Sequence, residues 1–268
     1  MPRRFAFALC LTLIPLAAGC ARALREPPPL AELTGSSGAL SPGDAESLID
    51  RARAAWERRE VAPVSEAARL WLSAAADENV RVEALLGAAR AAAWLADHAT
   101  ELDVRKRHAE SAVAAAQWCG RADPDEIRCT YWLALALGVQ ARERRATALD
   151  ALPQIVEMLE QVLAISPEMD QAGPHRALAL VYLRAPGWPS GPGDPDLGLD
   201  QARRAASIAP DFPPNQLVLG EALRAVDQTD AARAAYRRAR DLAEKRQASG
   251  EIDAIEWLDE AERAMSDE

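Results

Sequence analysis

The chain has 268 residues, four cysteines, three histidines and a formal net charge of −10 at pH 7. An acidic balance with no basic run excludes nucleic acid as the partner, and it argues against peripheral binding to anionic lipid beyond a covalent anchor. Alanine is abundant, Val, Ile and Thr are sparse, and no stretch alternates as a strand would, so the predicted fold is all-α.

In chain order, residues 1–19 read as a secretory signal: Met1-Pro2-Arg3-Arg4 is basic, and Phe5 to Ala18 is apolar but short for a membrane span. The run ends Leu16-Ala17-Ala18-Gly19-Cys20, which resembles the bacterial lipobox, so Cys20 is the expected lipidation site. The usual Leu three places before the cysteine is here Ala17, with Leu16 one place earlier. The other readings are a plain signal cut nearby and a retained anchor helix. Ala21 follows Cys20 in place of the Asp that signals inner-membrane retention. Residues 20–43 carry Pro27-Pro28-Pro29, Gly35-Ser36-Ser37-Gly38 and Pro42-Gly43, a composition expected to stay unfolded as a flexible tether. Fully extended, such a tether reaches on the order of 70 Å.

Residues 44–268 are predicted to form one helical-repeat domain. The predicted pairs are Ala45 to Glu60 with Pro63 to Ala75, Asn79 to Asp97 with Asp103 to Gln117, and Asp125 to Arg145 with Pro153 to Ile165. Pro174 to Leu183 with Leu197 to Ile208, and Pro213 to Val226 with Thr229 to Lys245, make the fourth and fifth. A polar-faced last helix, Ile252 to Met265, closes the array as solubility requires. The fifth pair is the clearest. Leu219-Gly220-x2-Leu223 is followed by Ala232-x3-Tyr236-x2-Ala239, the small-and-large spacing of a tetratricopeptide (TPR) hairpin. Leu86-Gly87 and Leu137-Gly138 repeat its first half. The predicted architecture is a TPR-like α-solenoid of about five hairpins plus a C-terminal capping helix. Asp227-Gln228-Thr229-Asp230 is a polar turn expected to cap the helix after it, and Pro192-Gly193-Asp194-Pro195 is a turn leading to another cap.

Cys119 and Cys129 sit at the end of one predicted helix and the start of the next. In an oxidising compartment they are placed to form a disulfide across the turn; the other reading is two buried free thiols. The fourth pair is too long by about nine residues against the standard repeat, and the excess lies in Arg184 to Asp196, rich in proline and glycine around Trp188. A stiff loop presenting an aromatic is a candidate binding element. The competing reading is that Trp188 folds back and plugs the neighbouring hairpin.

Enzyme chemistry finds no support. The three histidines lie in no HExxH and beside no cysteine pair, so neither metal nor cofactor is expected. There is no Gly-x-Ser-x-Gly elbow and no Walker loop. Grooves that grip peptide carboxylates place basic and amide residues along the first helix of each repeat. Here the inward positions of the fifth pair are Leu217 and Glu221, which departs from that pattern. In the fourth pair Arg176 falls on the expected concave face beside Leu180, either as a ligand contact or paired with a neighbouring carboxylate.

Gly173-Pro174-His175-Arg176, Tyr182-Leu183-Arg184-Ala185-Pro186-Gly187-Trp188-Pro189, Gly193-Asp194, Pro213-Pro214-Asn215 and Tyr131-Trp132-Leu133-Ala134 resemble TPR lipoproteins of the TatT family. These are the T-components associated with tripartite ATP-independent periplasmic (TRAP) transporters. The resemblance covers most of the mature chain and is strongest from 125 to 246. It implies a lipoprotein at the inner leaflet of the outer membrane, facing the periplasm. It also implies pairing with a periplasmic substrate-binding protein, and passing or holding a small, hydrophobic ligand. Arg176, Tyr182, Trp188 and Asn215 are the expected binding residues. The expected function is therefore a membrane-anchored periplasmic scaffold that binds a protein partner. The rival is an outer-membrane assembly lipoprotein supporting secretion, pilus or envelope machinery. A closed apolar interior favours the small-ligand reading, and an open polar groove favours peptides.

Overall fold

The structure, a computed structural model, describes residues 22–35 and 42–266. Among them are twelve α-helices and no β-strand: α1 (Leu30–Thr34), α2 (Pro42–Trp56), α3 (Val61–Ala74), α4 (Arg81–His98), α5 (Leu102–Ala122), α6 (Ile127–Glu143), α7 (Arg145–Ile165), α8 (Met169–Arg184), α9 (Pro195–Ile208), α10 (Pro213–Ala225), α11 (Thr229–Ala248) and α12 (Ala254–Ser266). Helices α2 to α11 pair consecutively into five hairpins, and α12 packs on α11. The fold is an all-α helical-repeat array, as expected. The expected lipidation site Cys20, the residues before it, and most of the Gly-Ser stretch lie outside the described residues.

Small residues let the helices close on one another. Gly87 of α4 faces the indole of Trp71 on α3, and Gly220 of α10 faces the ring of Tyr236 on α11, each leaving no room for a Cβ. Ala67, Ala84, Ala112, Ala136, Ala202, Ala232 and Ala239 are fully buried between helices. The first helices of successive hairpins touch, α4 with α6, α8 with α10, and α10 with α12, so they form the inner side of the curve.

Helix ends differ from the sequence expectation at several places, with α5 running on to Ala122 and α9 starting at Pro195. Helix α7 starts at Arg145, so Pro153 lies inside it. The carbonyl that proline leaves without a donor belongs to Leu149, at an exposed position. The N-terminal turn of α8 contains Asp170, Gln171 and Ala172 in the left-handed region, with φ of 49°, 54° and 65°. Helix α11 carries no side-chain cap from the polar turn before it, where Asp227 instead adopts a positive φ of 61°. Asp194 does cap α9, accepting from the backbone N–H of Asp196 and Leu197 at 3.0 and 3.1 Å.

Residues 22–35 are not a free tether. Ala23 is buried, its N–H donates to Asp150 Oδ2 at 2.7 Å, and Gln117 and Trp118 side chains donate to the carbonyls of Arg25 and Pro28. Arg121 pairs with Glu26 at 2.8 Å. Composition alone predicts an unfolded chain. Proline, however, has little backbone freedom to lose, and α5 supplies donors for the carbonyls of this strap.

The last helix does more than present a polar face. Asp253, just before α12, pairs with Arg59 at the end of α2 at 2.7 Å, and Glu256 accepts from His98 at the end of α4 at 2.8 Å. The two ends of the array therefore meet, and its concave side is enclosed around the circumference.

Candidate functional site

Contact between first helices is at most slight at α2 and α4 and again at α6 and α8. Helix α8 meets the third hairpin mainly through α7, so α6 and α8 are spread apart on the inner side. Between α6, α7 and α8 lies a pocket of about 410 Å³. Its walls are aliphatic, with Ala134, Leu152, Ile155, Leu159 and Leu180 among them. Gly138 explains the space. It occupies the same Leu-Gly pattern as Gly87 and Gly220, but a Cβ placed on it would meet nothing within 4 Å. No ring fills that position, and an unfilled apolar pocket is a site that a small apolar molecule can enter.

Two arginines stand at the rim. Arg184 donates from Nε and Nη2 to Glu221 at 2.9 and 2.7 Å, while its Nη1 has no such partner among the described residues. The hydrogen bond to Glu221 holds the guanidinium above its ordinary pKa. Arg142 pairs with Asp97 at 2.6 Å and Glu143 at 2.8 Å. Burial weakens its charge, but the two carboxylates outweigh that and raise its pKa. Behind Arg184, burial pushes Glu260 up; Arg184 opposes the shift and Glu221 reinforces it. Both arginine side chains are more than half exposed, at 53% and 59%. An aliphatic pocket with cationic donors at its mouth suits an apolar molecule carrying an acidic group.

The expected binding residues separate. Arg176 and Asn215 come together, but on one another rather than on open space. Arg176 pairs with Asp170 at 2.9 Å, donates to Asn215 Oδ1 at 2.9 Å, and lies over Phe212 at 5.1 Å. Asn215 is fully buried, and its Nδ2 donates to the carbonyls of Gln171, Ala205 and Ala209 at 3.0 to 3.1 Å. Tyr131 donates to Asp170 at 2.7 Å, and burial followed by Asp170 pushes its phenol far above the ordinary range. Together these groups hold the left-handed turn at 170–172, where each strained residue costs about 1–3 kcal/mol. Arg176 and Asn215 are thus struts of the fold, because their donors are used on backbone carbonyls and one carboxylate.

Tyr182 is half-buried, and its carbonyl accepts from Asp194 N–H at 2.9 Å, tying the Pro/Gly loop to α8. Trp188 at the loop tip is 90% exposed, so it does not plug a hairpin. Gly193 is needed there, since a Cβ would strike the backbone of Ala185 and Pro186. Cys119 and Cys129 stand at disulfide distance, with Cα atoms 5.5 Å apart, where the end of α5 meets the start of α6.

Two features escaped the sequence reading. The pocket was announced only by Gly138 lacking a partner ring, a signal that needs the third dimension. The other is Arg90 of α4, whose guanidinium lies 4.6 Å from the Trp56 ring and 5.8 Å from that of Trp71. Its buried Nε has no hydrogen-bond partner among the described residues. Burial, then Arg59, lowers its pKa against the pull of Glu83, Asp170 and Asp253. Compared with known proteins, the chain matches no family model and no curated sequence.

Proposed function

We propose that this chain is a membrane-anchored periplasmic scaffold of TPR type. It holds a small apolar molecule bearing an acidic group and pairs with a periplasmic substrate-binding protein of the TRAP kind. The observation that carries the ligand half is the unfilled pocket at Gly138, aliphatic inside and rimmed by Arg142 and Arg184. Closure of the array through Arg59–Asp253 and His98–Glu256 supports a small molecule over an extended peptide, which needs an open groove. That counts against the rival reading of an assembly lipoprotein gripping protein segments. The pocket walls carry no nucleophile beside a base, which favours holding over chemistry. The exposed Trp188 is the anchor this reading assigns to the protein partner.

Native mass spectrometry of the protein purified from its own envelope tests this. A bound small acid is expected, released on unfolding and missing from Gly138→Phe. A parent that, like the variant, shows only the mass expected of its own chain with nothing bound would count against the reading.

A further inference from the structure

Arg90 of α4 is a half-buried cation that no carboxylate meets. Its guanidinium lies 4.6 Å from the Trp56 ring and 5.8 Å from that of Trp71, and Arg59 lies over the same Trp56 ring at 3.9 Å. Taking a charge partly out of water is costly unless hydrogen bonds replace the water. Indole faces attract the cation, but they leave the donors at its edge unused. Arg90 makes no hydrogen bond or ion pair among the described residues, and its Nε is buried without a partner. The terminal Nη atoms also lack a partner but are not buried, so one edge of the guanidinium opens onto accessible space.

The charges that act on Arg90 are committed elsewhere. They are Arg59, Glu83, Asp170 and Asp253. Asp253 pairs with Arg59 at 2.7 Å, Asp170 with Arg176 at 2.9 Å, and Glu83 with Arg53 and Arg128 at 3.5 and 3.6 Å. Arg59 follows α2, Asp170 belongs to α8 and Asp253 precedes α12, so groups from around the ring converge on Arg90, which therefore stands on the enclosed concave side. Trp94 and His98 follow it at helical spacing on the same face of α4, and His98 reaches Glu256 of α12 across the closure. The rings of Trp56 and Trp94 lie 6.4 Å apart beside it. This place does not depend on the pocket at Gly138, which no residue of α2, α3, α4 or α12 lines.

Paired Nη donors at one guanidinium edge match the two oxygens of a carboxylate. The three nearby carboxylates favour a singly charged guest over a doubly charged phosphate, and the indoles suit an aromatic body. We infer that Arg90 receives the carboxylate of a small aromatic acid on the inner side of the array, beside Trp56 and Trp94. Benzoate is the probe, titrated calorimetrically into the full chain and into Gly138→Phe, with benzamide as its neutral counterpart and inorganic phosphate as the competing anion. One saturable benzoate site is expected in both proteins, with benzamide and phosphate about tenfold weaker or more. Arg90→Met should weaken benzoate about tenfold or more, the loss of hydrogen bonds to a charged group, with helical circular dichroism unchanged. Arg90→Lys keeps the charge and loses the fork, so it should fall between. In the parent isotope-labelled at arginine, the Nε–H resonance that disappears in Arg90→Lys should move with benzoate and saturate along the calorimetric curve, a readout that stands even where Arg90→Met fails to fold. The inference is overturned by benzoate binding that survives Arg90→Met or is lost in folded Gly138→Phe, by benzamide or phosphate binding as tightly as benzoate, or by a resonance that does not move.

Discussion

Alanine placed at the three glycines of the Leu-Gly pattern should have opposite effects. In a helix interior Gly→Ala gains about 1 kcal/mol, because glycine has more backbone freedom to lose. At Gly138 the new methyl meets nothing within 4 Å, so that gain should appear whole. At Gly87 the methyl would lie 2.5 Å from Cδ2 and Cε2 of Trp71, an indole only 2% exposed and boxed in by the first hairpins. At Gly220 it would lie 2.5 Å from Cε1 of Tyr236, equally buried. Overpacking of this kind costs about 1–3 kcal/mol, and a ring with no room to move puts it at the upper end. The net loss at Gly87 and Gly220 is then about 2 kcal/mol, and the separation from Gly138→Ala about 3 kcal/mol. Urea unfolding followed by circular dichroism measures all three. For a chain of this length the stabilised variant should melt about 2–4 °C higher. If Gly138→Ala lowers stability, or either of the others raises it, the packing derived for this pocket is wrong.

Asn215→Leu should cost about 3 kcal/mol, because it removes the fully buried amide's hydrogen bonds to the carbonyls of Gln171, Ala205 and Ala209 and leaves Arg176 without its amide partner; unchanged urea stability would return Asn215 to the role of a binding residue. Trp188→Ala should leave the melting temperature unmoved, since the side chain is 90% exposed. The same variant should weaken capture of the proposed substrate-binding protein about tenfold, equivalent to about 1.4 kcal/mol; a fall in melting temperature would show that the ring is structural. Thiol counting on unfolded, unreduced protein from the periplasm should find neither Cys119 nor Cys129 reactive, and the bridge should contribute about 3 kcal/mol for so short a loop. Two reactive thiols there would refute the bridge.

The helices were legible because their ends are punctuated. Pro213 starts a helix in the structure where the sequence places it, and Asp194 caps the second helix of the fourth pair as expected, with its first turn opening at Pro195, two residues before the expected Leu197. Pro153 misled because a proline marks a helix start and is also tolerated inside one whose freed carbonyl sits at an exposed position. The strap misled for a different reason. Its composition reports what it can bury by itself, while its partners Gln117, Trp118 and Asp150 lie about a hundred residues away in sequence. Ring closure is of the same kind, since Arg59 and Asp253 are 194 residues apart. Among the candidate residues, Arg176 takes the carboxylate pairing that was one of its two readings from sequence, and Asn215 is turned onto backbone carbonyls. Residue type and a concave position do not reveal that Arg176 and Asn215 both donate to the turn at 170–172. That turn owes its shape to tertiary contacts, because no residue in Asp170-Gln171-Ala172 favours three successive positive φ values.

The most direct test of ligand binding in the pocket is a titration with a fluorescent fatty acid. The parent, the Gly138→Phe variant and the Gly138→Ala variant are compared, with circular dichroism confirming that each keeps its helices. The expected result is saturable binding of one molecule per chain to the parent, weaker binding to Gly138→Ala, and none to Gly138→Phe, whose ring occupies the space between α6 and α8. Binding to Gly138→Phe as tight as to the parent, or no saturable binding to a folded parent, would contradict a ligand site there.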